Sequence, residues 1–330
     1  MASTMLHTEP LLYFGKLPSR GDFVRSSRGQ GLLNILDRWL SGGIEAMARD
    51  PRWKEVYDQS HPMHFAFLGP RNSYGWAGHL LASHDASGRR FPFIVGSRVE
   101  SSQPSAALAY APLVLSPLWQ GFSHYAQRAQ LDPDAAPLLL QYNQAEVEVD
   151  LALEPHMQRL NELLQATTVG ELQQQLQRDG HVLSLKRTVL ALGLLLQPLP
   201  SSGQRSLDRG LRLPLPQDPL TRTAVASLWM TMVSSFLQRA DFELALFMPQ
   251  SQAEPAELIV GFDGASARIL QAVLDPAFAP EVLIDVRDAD WVDEHLGNDY
   301  ALHKLASYLD QDQLSLQQMM LTFKEVFLGH

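Results

Sequence analysis

Residues 65–95 read FAFLGPRNSYGWAGHLLASHDASGRRFPFIV. Three apolar, aromatic-rich runs alternate here with two turn-forming clusters. Phe65 and Phe67, then Trp76 with His79–Ala82, then Phe91–Val95 have the spacing and residue types of short strands. Asn72-Ser73-Tyr74-Gly75 and Asp85-Ala86-Ser87-Gly88 supply the turns between them. Asn and Asp bond their own backbone, and Gly admits left-handed angles. Successive strands joined by tight turns form an antiparallel meander.

Upstream, Leu11–Phe14 reads as another strand, and Gly15–Asp22 as a turn-rich loop. Leu32, Leu33, Ile35, Leu36, Trp39, Leu40, Ile44 and Met47 recur in steps of three and four, so an amphipathic helix follows, weakened at Gly42-Gly43. Downstream, residues 104–130 read as one or two helices broken near Pro112 and Pro117. Asp132-Pro133-Asp134 with Pro137 marks a boundary, dividing the chain into 1–135 and a helix-rich α/β region, 136–330. A Gln-rich helical stretch spans 155–178. Residues 198–223 read as a long loop with four arginines, Arg205, Arg209, Arg212 and Arg222; a structureless stretch of that length is functional or disordered. Val225, Leu228, Trp229, Met232, Val233, Phe236 and Leu237 form a second helical stripe, followed by strands at 242–248 and 258–262. A last helix begins at the Ser315/Gln318 capping pair. No fixed-period repeat occurs. The expected class is α+β: a largely antiparallel sheet flanked by helices, with a second α/β region at the C-terminus.

Composition narrows the function classes. A length of 330 residues suits about two domains of ~100–200 residues. With 26 Lys+Arg against 36 Asp+Glu, the formal charge is −10, which disfavours non-specific nucleic-acid binding. Zero Cys removes disulfides, thiolate metal sites and Cys nucleophiles, and fits a reducing cytosol. Residues 1–10 show no secretory pattern, and the greasiest run, 188–199, is too short to span a bilayer. A cytoplasmic protein is expected.

No familiar active site emerges. His61, His64, His79 and His84 cluster in sequence, but on strand and loop with Pro62 between the first two, so satisfied or exposed histidines are expected rather than a metal site. No phosphate-binding glycine frame and no nucleophile elbow is present. Ser83, His84 and Asp85 are adjacent, and neighbours on a strand face opposite ways, which disfavours a triad. Two constellations remain. Lys16, Arg20, Arg25 and Arg28 place four basic residues within thirteen positions of an acidic chain, around Pro18, Ser19, Asp22 and Phe23. This is either a rigid loop displaying arginine to a carboxylate, a phosphate or a partner, or a turn held by an internal Arg20–Asp22 pair or another Arg–Asp pair. The second runs from Trp76 through Ser83, Asp85 and Arg89 to Phe91. Trp76 and Phe91 would anchor strands, with Arg89 reaching Asp85 across the turn.

Together these residues resemble the TagF family, also called ImpM, of type VI secretion-associated proteins. The family's opening Phe/Tyr-Gly-Lys-Leu-Pro-Ser-x-Gly-Asp-Phe is matched from Tyr13-Phe14 through Gly15-Lys16-Leu17-Pro18-Ser19-Arg20-Gly21-Asp22-Phe23. Asp37-Arg38-Trp39-Leu40 and Pro62-Met63-His64-Phe65 match the next two parts. Trp76, Gly78, Leu80, Ser83, Asp85, Gly88, Arg89, Phe91 and Pro92 match the last. Ala82 and Ser87 depart from it locally, and residues beyond about 150 carry no matched motif. The resemblance implies a bacterial, non-catalytic, cytosolic accessory protein without cofactor or membrane insertion. It implies a post-translational repressor of apparatus assembly that binds a forkhead-associated scaffold protein. Lys16, Pro18, Ser19, Arg20, Asp22, Phe23, Arg25, Trp76, Ser83, Asp85 and Arg89 are the expected partner-binding set. The alternative is a structural component, or a phosphoryl-ligand-binding protein or enzyme of the same system, using Lys16, Arg20, Asp22, Ser83, Asp85 and Arg89.

Overall fold

A computed structural model describes residues 7–237, 241–297 and 300–329. Most of the N-terminal stretch inspected for a secretory signal lies outside those residues. The strands are β1 (His7–Pro10), β2 (Leu12–Gly15), β3 (Val24–Arg25), β4 (Met63–Leu68), β5 (Tyr74–Leu81), β6 (Phe93–Glu100), β7 (Glu146–Val149), β8 (Gly210–Pro214), β9 (Leu244–Pro249), β10 (Glu257–Gly261) and β11 (Leu283–Asp285). Nine of them form one sheet in the order β11-β8-β10-β9-β4-β5-β6-β2-β3, and β1 pairs with β7 in a separate ribbon. Every pairing is antiparallel except β11 with β8. The meander β4-β5-β6 lies where the opening stretch puts it. The architecture is α+β.

Both faces of the sheet are covered, and the strands alternate accordingly. Leu244, Leu246 and Met248 of β9, with Leu258 and Val260 of β10, join the core under the Pro104–Val114, Ser116–Leu131 and Pro219–Leu237 helices. Ala245, Phe247 and Ile259 point the other way, into a second core under the Gln30–Met47 and Ala267–Leu274 helices. The Gln30–Met47 helix runs unbroken through Gly42 and Gly43, and packing explains them. A Cβ on Gly43 would lie 2.6 Å from the Leu270 side chain, so the glycine lets the two helices approach.

The sheet crosses the segment division drawn at 135/136. β4 pairs with β9 in the register Phe65↔Phe247. The Asp132–Pro137 stretch is the short connection into the Ala136–Gln144 helix, with the Asp132 and Asp134 carboxylates accepting backbone N–H groups. The Gln-rich stretch is two helices, Glu154–Ala166 and Val169–Arg178, the second opened by a Thr168/Glu171 capping box. The loop expected over 198–223 is a correction. It contains a short helix (Leu199–Ser202), strand β8 and the start of the Pro219–Leu237 helix. Leu211, Leu213 and Leu215 are buried on one side of β8 while Arg212 faces the other. Three of the arginines have structural partners there: Arg209 donates to the Pro280 and Leu283 carbonyls, Arg212 to Glu257, and the buried Arg222 to the Pro216 and Gln217 carbonyls.

Candidate functional site

β2 delivers Gly15 to the end of the sheet, opposite Phe93 of β6. Gly15 has φ +134°, and a Cβ there would sit 2.0 Å from the Pro92 carbonyl oxygen. No other residue fits, and this close approach carries the 16–22 loop against the 83–92 turn. The turn closes as its sequence predicts. The Gly88 N–H donates to the Asp85 carbonyl at 2.8 Å, and Gly88 has φ +79°.

Asp85 is the hub. Its side chain is fully buried, and five donors converge on it. Oδ1 accepts from the Ser87 N–H (3.0 Å), the Ser87 hydroxyl (2.7 Å) and the Arg89 N–H (3.0 Å). Oδ2 accepts from Arg89 Nε (2.7 Å) and pairs with Lys16 Nζ (3.0 Å). Burial alone would raise this carboxyl. The bonds from Ser87, Arg89 and Lys16 outweigh it and hold the group far below the usual carboxylate range. An acid held so firmly ionised, with both oxygens occupied, has little capacity for proton transfer.

Further bonds join the two segments around this hub. The Ser83 hydroxyl donates to the Lys16 carbonyl at 2.7 Å, and the Ala86 N–H to the Arg20 carbonyl at 2.8 Å. Arg89 Nη2 donates to the Gly21 carbonyl at 2.9 Å. From behind, the buried Tyr57 hydroxyl accepts from the Ser83 N–H (2.9 Å) and donates to the Ser83 carbonyl (3.1 Å), and burial raises its pKa. Arg90 grips Asp58 through two bonds.

Above this lock lies an aromatic step. Phe23 stacks on Phe14 (centroids 5.6 Å apart, planes at 6°) and meets Phe91 edge-on at 4.8 Å. Lys16 Nζ lies 4.9 Å from the Phe23 ring centroid, and the Arg25 guanidinium 5.1 Å from that of Phe14. Phe23 is nevertheless 46% exposed. Asp22, exposed beside it, accepts the Phe23 N–H. Arg20 is partly exposed, its guanidinium 4.0 Å from Asp134, so the internal Arg20–Asp22 pair is not what holds the turn. The Ser19 hydroxyl accepts the Ala135 N–H beside a half-buried Pro18. Arg25 donates to Asn34 and sits 3.7 Å from Asp37.

The expected partner-binding set therefore divides. Arg20, Asp22, Phe23 and Arg89 share one exposed edge, flanked by Arg25, Pro18 and Ser19. Lys16, Ser83 and Asp85 are buried beneath it. Trp76 is a correction. It is buried in the core under the Gln30–Met47 helix and cannot reach a partner. Its indole lies over Gly78 and Gly96, a cross-strand pair. A Cβ on either would come within 2.8 Å of the ring. The Trp-x-Gly spacing is thus a packing device. Ser83, His84 and Asp85 form no triad, since the Ser83 hydroxyl goes to Lys16 and His84 Nδ1 faces the Asp85 carbonyl. Of the four histidines, His64 and His79 face each other at 3.0 Å, while His61 is near Glu254 and His84 lies on the turn. Tyr57 and Ser87 complete the lock; nothing in the sequence marks Tyr57, and Ser87 reads there only as a turn residue that departs from the family pattern.

A family model described as the TagF N-terminal domain, type VI secretion system-associated, matches residues 13–145. That span contains the whole lock and the aromatic step. Comparison with curated proteins gave no match. Among solved structures, the crystal structure of PA0076 from Pseudomonas aeruginosa PAO1 is similar at 16% identity and a TM-score of 0.43, over 81% of this chain and 94% of that one. Residues 13–145 are therefore similar to the TagF N-terminal domain of type VI secretion system-associated proteins, and the match stops short of the second half of the chain.

Proposed function

We propose that this chain is a non-catalytic, cytoplasmic regulator of type VI secretion that represses assembly by binding a forkhead-associated scaffold protein through the edge formed by Arg20, Asp22, Phe23 and Arg89. One observation carries the reading. Phe23 stays nearly half exposed although Phe14, Phe91 and Lys16 hold it in one orientation. A rigid exposed aromatic flanked by arginine is the usual composition of an interface anchor, because little side-chain entropy remains to be lost on binding. The Asp85 hub supplies the rigidity. The enzyme reading has less support, since Lys16, Ser83 and Asp85 are already bonded to one another's loops.

The test is a binding titration of the purified scaffold against wild type, Phe23→Ala and Arg20→Ala. The expected result is at least a tenfold loss for Phe23→Ala, about 1.4 kcal/mol or more. Arg20→Ala should weaken binding and its salt dependence together. Unchanged affinity in both folded variants would remove this edge from the interface. No binding by wild type would remove the partner.

A further inference from the structure

β1 and β2 are one run of chain, but they part company at the sheet. Leu12 pairs with Gly96 of β6, whereas β1 turns away to pair with β7. Side chains hold β1 to the free half of β6. The Ser97 hydroxyl donates to the Pro10 carbonyl at 3.0 Å, and Arg98 binds Glu9, with Nη2 2.7 Å from Oε1. His7 and Glu9, two apart on a strand, share a face, and so do Arg98 and Glu100. The two faces meet.

His7 Nε2, a Glu9 carboxylate oxygen and a Glu100 carboxylate oxygen all lie within 4.8 Å of one another. His7 Nε2 is shielded from solvent and has no hydrogen-bond partner among the described residues. Its near neighbour, Glu9 Oε1, is 3.9 Å away, too far for a hydrogen bond. An imidazole nitrogen left without a partner between two carboxylates is costly for a protein alone. The same arrangement suits a cation that takes the nitrogen lone pair and both carboxylate charges. Arg98 orients Glu9 from outside, and it rests in turn on the Tyr74 ring at 4.9 Å. A ligating carboxylate fixed by an outer hydrogen bond is a regular feature of metal sites.

We propose that His7, Glu9 and Glu100 bind a divalent transition-metal ion, zinc foremost, that clamps the β1–β7 ribbon onto β6. One imidazole with two carboxylates matches zinc and its neighbours rather than calcium or magnesium, which take oxygen alone. Ligand bonds of about 2.0–2.2 Å require donor atoms about 3.3–3.5 Å apart, so modest side-chain rotation closes the present arrangement. With Arg98 retained, the three ligands and the guanidinium sum to −1 before the ion arrives. Three protein ligands leave a fourth position for water.

The experiment uses the tag-free, chelator-stripped full chain, titrated with zinc sulfate against a competing chelator and weighed by native mass spectrometry. One zinc per chain is expected. His7→Ala and Glu100→Gln should each weaken it by at least about 100-fold, more than loss of an outer partner costs. His61→Ala, which alters an unrelated half-exposed histidine, should leave it unchanged. Zinc should also raise the Tm of wild type and of His61→Ala but not of His7→Ala. Glu100→Gln preserves shape, so its circular dichroism checks that lost binding is not lost folding. No stoichiometric zinc at micromolar concentration, or one zinc retained by His7→Ala, would overturn the proposal.

Discussion

The two histidines facing each other across β4 and β5 should make this fold acid-sensitive in a specific way. His64 and His79 are directly opposite in the ladder, with Nδ1 atoms 3.0 Å apart. His64 stacks on the indole of Trp119, centroids 5.5 Å apart, and His79 Nε2 is buried without a partner among the described residues. One proton fits between the two Nδ1 atoms, and a second would set two N–H groups against each other. Burial pushes His79 down from 6.5 to about 4. Burial, then the charge of His79 and of Arg222, pushes His64 down too. Both rings are therefore neutral in the folded chain at pH 7, while the unfolded chain binds protons from about pH 6.5. The stabilising contribution is complete above that value and is lost as pH falls from about 6.5 toward 4. For His79 alone the loss between pH 7.5 and pH 5 works out at about 2 kcal/mol, on a ceiling of about 3 kcal/mol. Urea unfolding followed by tryptophan fluorescence at pH 7.5, 6.5, 5.5 and 5.0, on wild type and His79→Gln, measures it. Most other titrating groups, His64 among them, are shared by the two proteins, so the difference in slope reports what His79 adds. Wild type should lose about 2 kcal/mol more than the variant over that range. Parallel curves, within about 0.5 kcal/mol, would mean that the rings are solvated or already charged when folded, and the reasoning would fail.

Tyr57→Phe should lower stability by about 1–3 kcal/mol, because it leaves the buried Ser83 N–H without its acceptor. Scanning calorimetry checks this, and a Tm within error of wild type would show that the hydroxyl is not a tie of the lock. Gly15→Ala and Gly88→Ala should separate two penalties. At Gly15 the positive φ adds to a 2.0 Å collision with Pro92, so a loss above about 3 kcal/mol or outright insolubility is expected. At Gly88 the φ is +79° but nothing lies within 4 Å of the added methyl, so about 1–2 kcal/mol is expected. Equal losses in soluble yield and Tm would contradict that division.

Much of the fold is local enough to be read from the chain. The meander follows from residues within one 31-residue stretch, where aromatic runs and turn residues alternate. The parts that escaped have physical reasons. β8 is five residues long, and the alternation of its Leu211 and Leu213 with Leu215 just beyond it sits among arginines and prolines whose usual place is a loop. β11 has three residues and β3 two, below what any periodicity can register. The ribbon strand β7, Glu146-Val147-Glu148-Val149, is half charge. The pairing of β4 with β9 joins distant segments through hydrophobic faces that would serve equally well against another strand. It follows that residues 136–330 supply four strands of the same sheet rather than a separable appendage. A truncation after the matched span would bare the β4 edge.

The candidate site was legible as a cluster but not as a division of labour. Asp22 and Asp85 look alike in sequence, each in a glycine-bearing turn with an arginine nearby. One is exposed and bonded to the next residue's N–H; the other is sealed under five donors. The difference depends on which turn lies inside when segments 68 positions apart meet, as Arg89 and Gly21 do. No local propensity records that choice. Once it is known, the roles follow from burial. Gly15, Lys16, Ser83, Asp85 and the Arg89 Nε are occupied in building the lock, and substitutions there perturb folding and binding together. Arg20 and the outer face of Phe23 have no such duty, so a change in affinity at those two positions with Tm held constant reports recognition alone. A Lys16→Met chain that stayed folded and kept its affinity would place the proposed recognition in the surface and not in the charge beneath it.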